Sequence, residues 1–308
     1  MVMLKRKCVI LAKVEATYGT DPTPTEAANA ILALNPEIKE NREPIERNIN
    51  ISTLSNKPSL LGPESAEITF SVEILGSGTA GTAPRIGALL KACSMDETVV
   101  SGASVTYEPV SSSQYSCTIW AYIDGRLHKI TGAMGTWKMN LTAGALGMID
   151  FSFKGKYATP TNATIVTGTY DTPNPQPCKS CAFSYNSKTT LISKTLEIDI
   201  ANTIAMRKSL SAETEIEGFG ITERKPTLSV DVEAQIETSY NFRGDQLTTQ
   251  RAISAVVGAT AGNICTVSVP KFNITKIEYG DEEGVLLEKL SGECAINSGD
   301  DEISIAFT

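Results

Sequence analysis

The stretch Glu67-Ile68-Thr69-Phe70-Ser71-Val72-Glu73-Ile74 alternates without a fault between polar and apolar side chains. A period of two sends Ile68, Phe70, Val72 and Ile74 to one face and Glu67, Thr69, Ser71 and Glu73 to the other. That is a β-strand with one dry side and one wet side. Thr227-Leu228-Ser229-Val230-Asp231-Val232-Glu233-Ala234 repeats the pattern, and residues 196–200, 149–153 and 303–307 do so over shorter spans. Strands buried on both faces of a parallel sheet read as continuous apolar runs, so the alternation specifies a mainly β protein of antiparallel sheets.

Working outward, Trp120-Ala121-Tyr122-Ile123-Asp124-Gly125-Arg126-Leu127-His128-Lys129-Ile130 marks a hairpin. Asp-Gly supplies the two positive-φ positions of a type I′ turn between apolar strands. Two stretches have helical spacing. Residues 84–93 place Pro84 in the first turn and Ile86, Leu89, Leu90 and Cys93 on one side. Residues 245–257 offer Asp245 as an N-cap, with Leu247, Ala252, Ile253 and Val256 inward. Each reads as a short helix closing one side of a sandwich.

These features recur in the same order. An alternating strand (67–74, then 227–234) leads to a helix (from Pro84, then from Asp245). A Cys-Thr-apolar strand follows (Cys117-Thr118-Ile119, then Cys265-Thr266-Val267), and each half closes on a glycine and a strand ending in Phe (144–153, then 299–307). The order implies an internal duplication into two related antiparallel β-sandwich halves, 1–158 and 178–308, each with one short flanking helix. Identity between them is weak, and chance similarity of two sandwich segments is the alternative. Residues 159–177 hold Pro160, Pro173, Pro175 and many Thr and Asn, with little that could pack, which is linker chemistry. Two long segments, 41–64 and 203–225, read as loops inside the halves, and loops of that length are usually functional.

At 308 residues, a fifth of them charged, the chain can build two ordinary domains. Its net charge of −8 argues against a nucleic-acid binder held by phosphate contacts, which needs a basic face. No apolar run reaches the ~18–20 residues of a bilayer span. Residues 1–11 have no secretory apolar core either, so residence in the cytoplasm is expected. The seven cysteines (Cys8, Cys93, Cys117, Cys178, Cys181, Cys265 and Cys294) are scattered and read as small buried hydrophobes in a reducing compartment.

No constellation for catalysis emerges. His128 is the one histidine, and the sequence nominates no partner for it as a base or a metal ligand. Cys178-Lys179-Ser180-Cys181 has the CxxC form, but zinc needs a second pair, and a redox motif opens a helix after a strand. Here prolines precede it and a strand follows. Gly76-Ser77-Gly78-Thr79-Ala80-Gly81 and Gly132-Ala133-Met134-Gly135 match no dinucleotide or phosphate loop, and there is no GxSxG elbow. A glycosidase pair needs an acid shielded beside aromatics, and the chain has two tryptophans. The chain is therefore expected to be no enzyme and to hold no cofactor or metal. A carbohydrate-binding or adhesin-like sandwich is the competing reading; it should be secreted and present an aromatic platform.

The opening Leu11-Ala12-Lys13-Val14-Glu15-Ala16-Thr17-Tyr18-Gly19-Thr20-Asp21-Pro22-Thr23-Pro24-Thr25 resembles the start of the tail tube (major tail) proteins of long-tailed bacteriophages. Tyr122-Ile123-Asp124-Gly125, followed by Gly132-Ala133-Met134-Gly135-Thr136, is similar to a second feature of that family. Both lie in the first half, and no Glu-Ala-Thr-Tyr-Gly recurs near Cys181. The resemblance implies a sandwich subunit that assembles with copies of itself into a ring-shaped β-barrel, stacked into a hollow tube for DNA ejection. It further implies a component of the virion tail, made in the host bacterial cytoplasm and contacting no membrane. Its expected partners are tape-measure, tail-terminator and baseplate or distal-tail proteins, with double-stranded DNA passing without tight binding.

In such tubes a long loop between two sheet strands contacts the next ring. Segments 41–64 (Arg42, Glu46, Arg47, Lys57) and 203–225 (Arg207, Lys208, Arg224, Lys225) hold the matching positions. Resemblance and alternation together imply a lumen-facing set of Glu67, Thr69, Ser71, Glu73, Glu197, Asp199, Thr227, Ser229, Asp231 and Glu233. An acidic, small-polar wall would repel the phosphate backbone; an ordinary solvated sheet face is the plain alternative. With two tube units per chain, three chains make a pseudo-sixfold ring. With one unit and a decorating domain, six are needed.

Overall fold

The structure is a computed structural model that describes residues 2–179, 181–212 and 214–308. The first half runs through β1 (Cys8–Val14), one turn of helix α1 (Glu26–Asn29), β2 (Ala30–Ile31) and a long hairpin of β3 (Ala33–Ile45) and β4 (Leu60–Glu73). Helix α2 (Gly87–Ala92) and the hairpin β5 (Met95–Val100) and β6 (Ser104–Pro109) follow. The half ends on β7 (Cys117–Ile123), β8 (Arg126–Thr142) and β9 (Met148–Asn162). The second half begins with β10 (Ala182–Tyr185), β11 (Ser193–Asp199) and the hairpin β12 (Asn202–Lys208) and β13 (Ile216–Arg224). It continues with β14 (Thr227–Glu233), α3 (Phe242–Thr248), β15 (Arg251–Val257), β16 (Cys265–Glu282), β17 (Val285–Cys294) and β18 (Ser304–Phe307). The fold is mainly β with antiparallel pairing, as the alternation requires.

Hydrogen bonding follows one path twice. In the first half it runs β1-β7-β8-β9-β4-β3. In the second it runs β10-β15-β16-β17-β14-β11. A helix stands between the equivalent strands, α2 after β4 and α3 after β14. β8 and β16, at 17 and 18 residues, are long enough to serve two layers. The beginning of β8 pairs β7, whereas its end, Lys138 to Thr142, pairs β11 of the second half. One polar-faced run of eight strands results, β3-β4-β9-β8-β11-β14-β17-β16. Ile10 and Ile119 of one layer share a core with Ile68, Phe70 and Phe153 of the other, and the same core continues into Leu228, Val230 and Leu290.

The turn at Asp124 and Gly125 has φ of 33° and 100°, the positive pair that Asp-Gly was read to supply. Helix α2 likewise falls within residues 84–93, with Ile86, Leu89, Leu90 and Cys93 buried. The second helix differs. Residues 245–257 are not one helix: α3 starts earlier, capped by the Asn241 side chain accepting from the Gly244 N–H at 2.5 Å, and stops at Thr248. Asp245 is buried and receives the Tyr240 hydroxyl at 2.6 Å and Arg251 at 2.8 Å. From Arg251 the chain is a strand with Ile253, Ala255 and Val257 inward, while Leu247 is exposed. Ile253 and Val256 satisfy a helical spacing, but a β-branched run with period two fits the pleated core better.

Three further expectations are corrected. Segment 203–225 is mainly the paired strands β12–β13, whereas 41–64 is paired only at its two ends, 41–45 and 60–64, around an open stretch at 46–59. Within 159–177, Ala163, Ile165, Val166 and Tyr170 pack against Leu11, Ala30, Tyr122 and Leu127, and Asp171 takes Arg85 at 3.2 Å, so this stretch is a packed strap. The motif correspondence between the halves is also displaced. Cys117 lies on β7, but Cys265 opens β16, whose place in the path is that of β8. β17 takes the place of β9, and β18 extends it by pairing the start of β16 as the end of β9 pairs the start of β8.

Candidate assembly surfaces

The opening motif is a staple. Glu15, just past β1, is buried, and its carboxylate accepts the Gly19 and Gly132 N–H groups at 2.7 Å and the Ser116 and Thr118 hydroxyls at 2.6 Å. The Tyr18 hydroxyl donates to the Gly132 carbonyl at 3.0 Å and accepts the Phe219 N–H at 2.5 Å, joining β8 of the first half to β13 of the second. Gly132 has φ of 59°, and a Cβ there would sit 2.8 Å from the Tyr18 ring; at Gly218 it would sit 2.5 Å away. Asp21 accepts from the Trp120 indole at 3.2 Å and from Lys129 at 3.1 Å, with Lys129 lying 3.9 Å from the centre of the Trp120 ring. Glu15, Tyr18 and Asp21 of this motif therefore hold β7, β8 and β13 together.

The ten alternating residues all come to one face of the eight-strand run. Ser71 and Thr227 stand in one cross-strand row with Asp150, Lys138 and Asp199 between them. A second row holds Glu73, Met148, Asn140, Glu197, Ser229, Ser291 and Lys276. Glu67 and Thr69 lie on β4 beside them, and Asp231 and Glu233 continue the face on β14. Their apolar alternates, from Ile68 and Phe70 to Val230 and Val232, are buried.

This face is mixed rather than acidic. Lys138 pairs Glu197 at 2.8 Å, and that contact holds its ammonium above the ordinary lysine range. Lys154 is opposite Glu67, Lys289 is opposite Asp231, and Lys276 pairs Glu278 at 2.8 Å. Asp150 accepts from Asn140 at 2.8 Å and from Ser71 at 2.5 Å. Sequence reasoning missed these lysines because it stopped at the strands with unbroken alternation. The signal was present on β9, where the polar positions Asp150 and Ser152 continue to Lys154.

The charged residues of the two arms have different fates. Arg42 is paired with Glu64 across β3 and β4. Glu46, Arg47 and Lys57 are exposed at the arm tip. Arg207 is exposed on β12, and Lys208 reaches Glu43 of the first arm at 3.2 Å. Arg224 is mostly buried, bound to Asp300 at 2.8 Å and Glu302 at 3.3 Å, so it is committed within the chain. Lys225 pairs with Glu223, two residues before it, at 3.0 Å.

His128 is half-buried with Nδ1 2.6 Å from the Tyr157 hydroxyl, and burial lowers its pKa. Among the described residues no group of three or more His, Cys, Asp and Glu side chains is placed to hold a metal, and no helix is long and apolar enough to cross a membrane. A broad polar sheet face, two arms and open strand edges define a structural β-sheet subunit. A family model described as phage tail tube protein matches residues 5–308, and the chain belongs to that family. The match spans both halves, including the second, where the opening motif does not recur. No curated protein matches the sequence.

Proposed function

We propose that the chain polymerises into stacked rings forming the hollow tail tube through which DNA passes, with three chains per ring and the eight-strand polar face lining the bore. The repeated strand path carries this reading: each half supplies the same four strands to one sheet, and the two sets are already joined edge to edge between β8 and β11. That repeat is what two related halves, 1–158 and 178–308, would produce. Three chains contribute twenty-four strands. At a spacing of about 4.8 Å these close into a cylinder roughly 37 Å across between backbones, before strand tilt widens it.

The wall chemistry suits passage without capture. Lys138, Lys154, Lys276 and Lys289 each stand opposite or beside a carboxylate, so they do not form a basic track for phosphates. The exposed tips of the two arms, with Glu46, Arg47 and Lys57 on the first, are the parts placed to meet an adjacent ring or the tail's other proteins. Replacing Glu73, Asp231 and Glu233 together by Lys creates such a basic track. Tubes of this variant are expected to assemble and to slow or block DNA ejection; normal ejection would contradict the lumen assignment.

A further inference from the structure

We propose that neighbouring chains in the ring are joined by β3 of one chain adding, antiparallel, to the C-terminal half of β16 in the next, with Ile38 opposite Tyr279 and Lys39 opposite Glu278. This rests on the ring reading above and supplies its interface.

The template lies inside the chain. One edge of β8 is taken by β7 as far as Ala133 and then by β11 from Lys138 to Thr142, while β9 holds the other edge throughout. On β16 the corresponding edge is taken by β15 as far as Phe272, with β17 on the opposite side. From Lys276 to Glu282 no strand among the described residues occupies that edge. The counterpart of β11 is β3, which among the described residues pairs with β4 alone. Each chain thus has one strand-free stretch of edge, bordered by α3 through Gln246 on the Thr275 carbonyl and Arg243 on the Tyr279 hydroxyl, and one strand of the kind that fills its twin.

Register follows from the two matched paths. Setting β4 on β14 with Glu67 at Thr227 places Lys154 at Glu293, and through β9 and β17 it places Met139 at Tyr279. The same superposition places Ile198 at Ile38 and Asp199 at Lys39. The internal pairs Lys138–Asp199 and Met139–Ile198 then become Glu278–Lys39 and Tyr279–Ile38. The charge pair is conserved with its signs exchanged, and the apolar pair remains apolar. Topology alone does not require either. Glu37, diagonal to Glu278, is already paired with Lys5 at 3.3 Å, and the residue opposite it is Gly280, which leaves it room.

Exposure agrees. Met139 and Ile198 at the internal seam are each 1% exposed, whereas Tyr279 is 61% exposed. Leu286 beside it and Leu34 on β3 are also exposed. Open edges with apolar side chains invite strand addition, and soluble proteins usually guard them with charge or cover. Here the cover is a second copy.

The test uses full-length chain carrying Ile38→Cys and Tyr279→Cys, assembled into tubes and then oxidised beside wild type. Directly opposed strand positions lie within disulfide reach. Expected is a covalent species of three chains absent from wild type; assembled tubes that yield no new crosslink overturn the pairing. Should the cysteine variant fail to assemble, the charge pair decides. Lys39→Glu or Glu278→Lys alone should cut tube yield about tenfold, each ring carrying three such like-charged pairs. The double exchange should restore it. Single variants without effect, or a double variant no better than the singles, overturn the register. A wild-type chain that forms no tubes at all contradicts the tail-tube reading instead, so the two failures are distinguishable.

Discussion

The two arms occupy the same place in the strand path, β12–β13 between β11 and β14 and the tip of β3–β4 in the other half, yet they end in opposite conditions. The second arm lies against the first half of its own chain, with Ile216 and Phe219 buried against Met134 and Tyr18 reaching the Phe219 backbone. The first arm leaves Ile45, Leu60 and Leu61 exposed at 49%, 53% and 68%. Sequence character does not separate them, because both mix charge with interspersed Ile and Leu. What separates them is whether the surface that follows in the sheet belongs to the same chain. For β11 and its arm it does; in the proposed ring, β3 and its arm would find it on the next chain.

That contrast can be broken by substitution. The largest effect is expected at Glu15, whose removal strands two backbone N–H groups and two hydroxyls in a buried place. Glu15→Ala should cost on the order of 4 kcal/mol in chemical denaturation, and a loss under ~1 kcal/mol would deny the staple its role. Phe219→Ala, in the docked arm, should follow at about 3 kcal/mol. The corresponding change in the free arm, Leu61→Ala, should shift monomer stability by less than about 0.5 kcal/mol and show its effect in tube assembly. Equal costs at Phe219 and Leu61 would mean that the arms do not differ as described.

Much of this was legible from residues alone, and the failures have physical causes. Unbroken alternation at 67–74 and 227–234 identified the strands and their wet faces, because a period of two survives in any sheet with one dry side. The Glu15–Asp21 motif announced a family, but its work as a staple needs Gly132, Ser116 and Trp120, which only folding brings near. Residues 245–257 misled because Leu247, Ile253 and Val256 fit a helical spacing, whereas the strand from Arg251 turns Ile253, Ala255 and Val257 inward instead. The cross-strand lysines escaped because register is a property of pairs, and no single strand displays it. The shared strand path was visible only as a rough recurrence, with its Cys-Thr landmark one strand out of step.

The stoichiometry of one ring tests the central idea most directly. Reconstruction of wild-type tubes by electron cryomicroscopy should show threefold rings, each chain filling two successive positions of a pseudo-sixfold sheet, with β3 of one chain beside β16 of the next. True sixfold rings, with six chains each giving one half to the bore, would contradict it.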